Sequence, residues 1–215
     1  MLYLSGAINK NMRDDLRAGK IGLLQTPGAG YNLQDVQVWA LDNGCYTGKY
    51  PGDQAYLTKL DDWEEHKSRC LFVAVPDVIG DHVATLKRWP TMSKRIKDRG
   101  WTPALVAQDG TKPTDLPAHL EWLFIGGSTE WKLGDQCRAL IRAAQANGTR
   151  THVGRVNSQK RYRRFAELGC DTADGTFIAF GPTINFAHVM RWQREHGRQP
   201  TMSDDLTGRD WEEKE

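Results

Sequence analysis

Short apolar runs alternate with amphipathic segments along most of this chain, and this alternation limits the possible folds more than any other feature. Eight runs have the length of a buried strand: 2–8, 21–24, 36–41, 70–75, 104–107, 122–125, 151–153 and 170–173. Segments 53–69, 81–99, 132–147 and 158–168 carry apolar residues at three- and four-residue spacing, which predicts helices between the strands. Strands that alternate with helices pair in parallel.

Eight such units predict a compact (β/α)8 TIM barrel. The chain has 215 residues, close to the lower limit of about 200 for this fold. We therefore expect one domain over residues 1–196 and a polar C-terminal tail over residues 197–215. An open doubly wound sheet is the alternative, but neither GxGxxG nor a P-loop follows the first strand.

The composition of the chain limits the kinds of molecule that it is expected to bind. There are 29 lysines and arginines against 27 acidic residues, and a net charge of +2 gives no global argument for binding a polyanion. The absence of a long apolar run or a cleavable leader predicts a cytoplasmic protein that does not contact a membrane. The four cysteines stand singly and the histidines lack metal-site spacing, so we predict neither a metal ion nor a cofactor.

Polar residues and glycines follow six of the predicted strands, where a barrel places its chemistry. They are Asp42, Asp77, Gln108, the pair Gly126 and Gly127, Arg155 and Asp174. Taken singly, an aspartate or glycine after a strand is ordinary turn chemistry. Three carboxylates around one mouth repel each other, and their combination predicts an active site.

The residue types at these strand ends favour two-carboxylate chemistry. The chain has no GxSxG elbow for acyl transfer and no lysine at a strand end for a Schiff base. A pair of acids can break a glycosidic bond when one attacks the anomeric carbon and the other moves the proton. From the residues alone, that bond can be to a sugar or to a base.

Five short segments then carry a family resemblance: LDNGCY (41–46), VPD (75–77), AQDG (107–110), IGG (125–127) and GCDTAD (169–174). In their order and their location at strand ends, they resemble the tRNA-guanine transglycosylases and the short phage relatives of those enzymes, the DpdA-type DNA 7-deazaguanine transglycosylases. The resemblance implies that Asp174 is the nucleophile, Asp42 the general acid/base and Asp77 a reader of the base. The further base contacts that it implies are Gln108, Gly126 and Gly127.

The implied reaction exchanges guanine in DNA for a 7-deazaguanine such as preQ0, through a covalent intermediate on Asp174. The tRNA enzymes carry a zinc-binding subdomain with closely spaced cysteines, and no cysteine follows Asp174 here. This difference favours DNA over tRNA, although the tRNA reaction stays an alternative. The target nucleotide would be flipped or single-stranded, because C1′ is hidden in a stacked duplex.

A basic run after the seventh strand is the predicted contact to nucleic-acid phosphates, although a solvated helix face is an equally good interpretation. Its residues are Arg155, Lys160, Arg161, Arg163 and Arg164. Two other functions stay open: a two-carboxylate nucleosidase or glycosidase, and a barrel that binds nucleic acid without catalysis. A homodimer is also left open.

Overall fold

The computed structural model describes residues 1–196 and contains a closed barrel of eight parallel strands, each paired with its neighbours in chain order. The strands are β1 Leu2–Ser5, β2 Gly22–Gln25, β3 Trp39–Leu41, β4 Cys70–Ala74, β5 Pro103–Ala107, β6 Trp122–Ile125, β7 Arg150–Val153 and β8 Thr172–Gly175. The pairing of β1 with β8 closes the ring. The predicted (β/α)8 barrel is therefore confirmed, whereas the predicted tail over 197–215 lies outside the described residues.

Helices cover the outside of this barrel. They are α1 Arg13–Arg17, α2 Asp53–Asp62, α3 His82–Lys97, α4 Thr129–Leu133, α5 Asp135–Ala146, α6 Gln159–Glu167 and α7 Ile184–His196. Gly100, Gly148 and Gly169 follow α3, α5 and α6 with φ of +74°, +74° and +81°. A glycine adopts this left-handed conformation without a Cβ penalty, which is why it ends helices at these positions.

Two predicted helices differ from those observed. The segment 132–147 forms two helices, α4 and α5, because the backbone is extended at Gly134 (φ −86°, ψ 172°). The first of them begins earlier than predicted, since the Ser128 hydroxyl caps it by accepting a hydrogen bond from the Trp131 N–H at 3.1 Å. The segment 53–69 stays helical only to Asp62 and continues as a 3-10 helix over Glu64–Arg69.

The interior of the barrel is filled by a layer of rings from β4, β6 and β7. The Phe124 ring centroid lies 4.4 Å from that of His152 and 6.0 Å from that of Phe72, and Phe72 lies 5.0 Å from both Trp122 and His152. Smaller inward residues complete this layer, among them Leu2, Leu4, Leu24, Val38, Ala40, Ala74, Ala104 and Val106. Because side chains alternate along a strand, the next inward positions lie at the carboxyl ends of the strands.

Outward-facing strand residues pack against the helices in a second, larger cluster. Trp39, Tyr56, Leu140 and Tyr162 are fully buried in it. Within residues 1–196, no helix combines the length and the hydrophobicity that crossing a membrane requires.

Gly175, the last residue of β8, tests how closely this end of the barrel is packed. A Cβ there would lie 2.2 Å from the Asn157 Oδ1 atom and 2.8 Å from the Val156 carbonyl oxygen. We expect Gly175→Ala to lower the free energy of unfolding by about 1–3 kcal/mol, because the backbone neighbour cannot move aside freely. The measurement is urea denaturation followed by circular dichroism.

Gly28→Ala is the matched control, since a Cβ at Gly28 meets nothing within 4 Å. Its unfolding free energy should stay within about 0.5 kcal/mol of the unmodified protein. An equally small effect of Gly175→Ala would contradict the close packing at the end of β8.

Candidate active site

Strand alternation turns several of the predicted side chains into the mouth of the barrel. Asp42 continues the inward row of Ala40, and Gln108 continues that of Val106. Asp174 lies within β8 itself, whereas the sequence predicted a strand that ended one residue earlier. Their position is therefore set by the strands and does not depend on long loops.

The carboxylate of Asp174 is held from two sides. Its Oδ1 atom lies 3.0 Å from the Nε2 atom of His152 and accepts a hydrogen bond from the backbone N–H of Arg155 at 3.3 Å. His152 is fully buried, and its Nδ1 atom lies 2.8 Å from the Thr172 hydroxyl. A neutral imidazole that donates from Nε2 and accepts at Nδ1 satisfies both of its ring nitrogens here.

The sequence analysis gave His152 no role, and its contact with Asp174 was not predicted. Its signal was the alternation along β7, which gives His152 the same inward direction as Gly154 at the end of the strand. Gly154 is close to the acid as well, because a Cβ there would lie 3.4 Å from Asp174 Oδ1.

Asp42 carries the most perturbed carboxyl group at the mouth. Burial, followed by the negative charge of Asp174, raises its pKa from 3.8 to about 7, although the N–H of Gly44 acts in the opposite direction. The Gly44 N–H donates to Asp42 Oδ2 at 3.3 Å. Near neutral pH the site therefore has a carboxyl group that can give or take a proton beside a second carboxyl group.

Asp77 is buried and held by two side-chain amides. Asn43 Nδ2 donates to its Oδ1 atom at 2.9 Å, and Gln108 Nε2 donates to its Oδ2 atom at 2.5 Å. Burial raises the pKa of Asp77, and these hydrogen bonds lower it. Gln108 also accepts from the Gly80 N–H at 3.0 Å, so its amide positions Asp77 and the loop after β4. Asn43 was in the predicted LDNG segment without an assigned role.

The glycine pair after β6 is tightly packed. A Cβ at Gly126 would lie 2.9 Å from the Ala107 carbonyl oxygen, and one at Gly127 would lie 2.4 Å from Asp109 Oδ1. The Gly126 N–H donates to Ala107 at 3.0 Å, and the Gly127 carbonyl accepts from Arg155. Two backbone polar groups of this pair are therefore already used within the barrel.

Arg155 spans the mouth from the end of β7. Its backbone has a φ of +60°, which is uncommon for a residue with a side chain. Its guanidinium donates to the carbonyl of Gly127 and lies 4.2 Å from the ring centroid of Tyr46, an arrangement typical of a cation–π contact. Tyr46, after β3, is 59% exposed, so this pair lies at the surface of the mouth.

Lys132 on α4 is a second residue that sequence reasoning missed. Its side chain is 5% exposed, and its Nζ atom donates to the Gly154 carbonyl at 2.5 Å. Burial, followed by the positive charge of Arg155, lowers its pKa from 10.5 to about 8. A lysine in an amphipathic helix gives no sequence signal of burial, because the same pattern places lysines on solvated faces.

The remaining basic residues of the predicted phosphate contact lie on α6 and differ in their surroundings. Lys160 and Arg163 are exposed, and Arg163 lies 3.6 Å from Glu167. Arg161 is partly buried. Arg164 donates to the Leu133 carbonyl at 2.5 Å, which directs it toward the end of α4.

In the part of the chain that the structure describes, no three His, Cys, Asp or Glu residues are grouped so that they could hold a metal ion.

A groove of about 300 Å³ lies between α3 and the amino-terminal ends of β5 and β6, at the end of the barrel opposite the mouth. Trp89, Pro103 and His119 are among the residues that line it.

Comparison with known proteins identifies the architecture. No family model and no curated protein matches the sequence. The chain is similar in structure to 3-hexulose-6-phosphate synthase from Salmonella typhimurium, with a TM-score of 0.51 and 12% identity over 91% of this chain and 99% of that one. Tryptophan synthase from M. tuberculosis in its ligand-free form is also similar, with a TM-score of 0.44 and 14% identity over 83% of this chain and 68% of that one. At such identities the likeness shows the fold alone.

The family resemblance predicted from the sequence was wrong. The chain is similar to a 3-hexulose-6-phosphate synthase, an enzyme of another family, and none of these comparisons points to the tRNA-guanine transglycosylases or to the DpdA-type enzymes. Without that resemblance, the absence of a zinc subdomain no longer favours DNA over tRNA. Any role of the mouth has to be argued from its geometry.

The perturbed acid at the mouth can be tested without any substrate. We expect Asp174→Asn to lower the pKa of Asp42 from about 7, because the substitution removes a negative charge that disfavours ionisation of Asp42. The measurement is a carbon-13 NMR titration of the aspartate carboxyl groups. Asp135→Asn, at an exposed position on α5, should leave the Asp42 titration unchanged. If Asp174→Asn also leaves it unchanged, the two acids do not interact.

Proposed function

We propose that this protein is an enzyme that breaks the N-glycosidic bond of a guanine-type nucleotide and transfers the sugar to a second base. The observation that supports this most directly is the pairing of Asp42, whose pKa is raised to about 7, with Asp174, held by His152 and the Arg155 N–H. Two carboxyl groups with different environments can act as acid and nucleophile on one bond. The reaction type rests on this geometry, whereas the guanine-type base, the incoming 7-deazaguanine and DNA are kept from the sequence prediction as the substrates to test.

In the first half of the reaction, a carboxylate oxygen of Asp174 attacks C1′ and the bond from C1′ to the base nitrogen breaks. Asp42 gives its proton to the departing base, which then leaves as a neutral molecule. In the second half, an incoming 7-deazaguanine loses its N–H proton to Asp42, and the freed nitrogen displaces Asp174 from C1′. Both half-reactions conserve charge, and Asp42 is protonated again at the end.

Asp77 is the proposed reader of the base. Its carboxylate oxygens accept hydrogen bonds from Asn43 and Gln108, and the Cys45 thiol is a further partner, so only part of their accepting capacity is left for a base. The N–H groups of a guanine edge are donors that suit such a carboxylate, whereas adenine offers an acceptor at the corresponding ring position. Gln108 then acts by positioning Asp77, while the backbone at Gly126 and Gly127 borders the base.

The sugar is proposed to belong to a nucleic acid, with DNA as the first substrate to test. Arg155, Lys160 and Arg161 follow β7 and begin α6 on the same side of the barrel as Asp174. Basic groups beside the mouth can hold the phosphates of a flipped or single-stranded nucleotide. Hydrolysis without exchange is the second candidate, because a water molecule could replace the incoming base on the covalent intermediate.

Base exchange is tested by incubating guanine-containing DNA or, in a parallel reaction, tRNA with labelled guanine or preQ0. We expect the labelled base to be incorporated into either the DNA or the tRNA, and not into both. Asp174→Asn should lower the rate by about 10³-fold or more, and Asp42→Asn by about 10²–10⁴-fold. Asp135→Asn, which removes an exposed carboxylate elsewhere, should keep the full rate. Release of free base without label in the polymer would favour hydrolysis, and an unchanged rate in Asp174→Asn would exclude this nucleophile.

Asp77→Asn tests how the base is recognised. We expect the preference for guanine over hypoxanthine, which lacks the exocyclic amine, to fall by about tenfold or more, because the amide replaces one acceptor oxygen with an NH2 donor that cannot accept the second N–H of guanine. The measurement is competition between the two bases for incorporation, with thermal unfolding as the check on folding. An unchanged preference in a folded variant would contradict the role of Asp77.

A further inference from the structure

Lys132 and Arg155 are two cations that lack an ion-pair partner at the mouth. Within residues 1–196, neither side chain lies within 4.0 Å of a carboxylate oxygen. Lys132 donates to the Gly154 carbonyl, and Arg155 donates to the Gly127 carbonyl and contacts the Tyr46 ring. Buried or partly buried cations are usually paired, because removing their charge from water costs free energy.

The two side chains form opposite connections between the segment that follows β6 and the end of β7. Lys132 reaches from α4 to Gly154 at the end of β7, and Arg155, the next residue, reaches back to Gly127 at the end of β6. The two positive charges also interact, because the charge of Arg155 helps to lower the pKa of Lys132. The structure therefore keeps two positive charges near enough to disfavour each other.

Their hydrogen-bonding capacity exceeds what the barrel uses. A lysine ammonium carries three donors, and the described residues supply one acceptor for it, the Gly154 carbonyl. A side chain that only stabilised the Gly154 carbonyl would need one hydrogen-bond donor and no positive charge. The unused donors and the charge both suit an anion with several acceptor oxygens.

The balance of charges around Lys132 and Arg155 also favours a bound anion. The carboxylate of Asp174 is the negative group that most favours the charged form of Lys132, and Asp42 is partly protonated near neutral pH. The Asp109 carboxylate lies here too, because its Oδ1 atom accepts from the Ser128 N–H at 2.6 Å, and the charge of Arg161 also lowers the pKa of Lys132. Three cations against two carboxylates still leave this part of the mouth positive. A bound anion would restore the balance.

We propose that Lys132 and Arg155 form a subsite for the phosphate group of the nucleotide, beside Asp174. Naming a nucleotide as the source of the phosphate rests on the proposed function, whereas binding of the phosphate group itself does not. The subsite fixes the distance between the phosphate and the carboxylate that attacks C1′. Lys132 is thus a binding residue that the basic run of α6 does not include.

Inorganic phosphate is the probe, and its binding is measured by calorimetry and by phosphorus NMR on the full chain. We expect saturable binding of one phosphate, weakened by about tenfold or more in Lys132→Gln and in Arg155→Gln. Lys59→Gln removes an exposed lysine on α2 and should bind as the unmodified protein does. Arg155 is partly exposed, so its variant keeps the test decisive if Lys132→Gln fails to fold.

Asp174→Asn gives an independent arm. Removing the neighbouring negative charge should tighten phosphate binding several-fold, although the same substitution abolishes the proposed exchange reaction. Phosphate binding with these responses but without base exchange would contradict the proposed function and leave the subsite standing. Equal affinities in the unmodified protein, Lys132→Gln and Arg155→Gln, or no saturable binding, would overturn the subsite even if exchange is observed.

Discussion

Every group at the mouth takes its position from the closed ring of parallel strand pairing. Because β1 pairs with β8, the carboxyl ends of all eight strands meet in one ring, and the alternation of side chains turns Asp42, Gln108 and Asp174 toward the same interior. His152 connects this ring to the packed layer beneath it, since its imidazole contacts the Phe124 ring and also reaches Asp174. The carboxylate of Asp174 is therefore placed by barrel packing.

Burial at the mouth changes acids and bases in opposite directions, and this gives the site its chemical character. The same removal from water that raises the pKa of Asp42 lowers that of Lys132, so both groups titrate nearer to neutral pH than they would in solution. Asp174 adds to the first shift and opposes the second. The pKa values of Asp42 and Lys132 are thus coupled through one carboxylate.

The fold could be predicted because period and length are local properties of the sequence. The runs at 70–75 and 122–125 match β4 and β6 closely, and the barrel follows from their alternation with helices. Strand ends were predictable for the same reason, so Asp42, Asp77 and Asp174 were expected at one mouth. The partners of these acids were not predictable. His152 and Lys132 contact the site through burial and side-chain direction, which only the closed barrel determines.

The failed family resemblance has a physical explanation in the barrel itself. An aspartate after a strand satisfies backbone N–H groups, as the Gly44 N–H shows on Asp42, and glycines at Gly126 and Gly127 let two strand ends approach each other. Such residues are common at the strand ends of barrels with short loops. Motifs that match in order along five strand ends can therefore reflect the fold, which this chain shares with a hexulose-phosphate synthase at only 12% identity. What distinguishes one barrel enzyme from another is the charge and hydrogen bonding among those residues, and here that means the acid pair and its two cations.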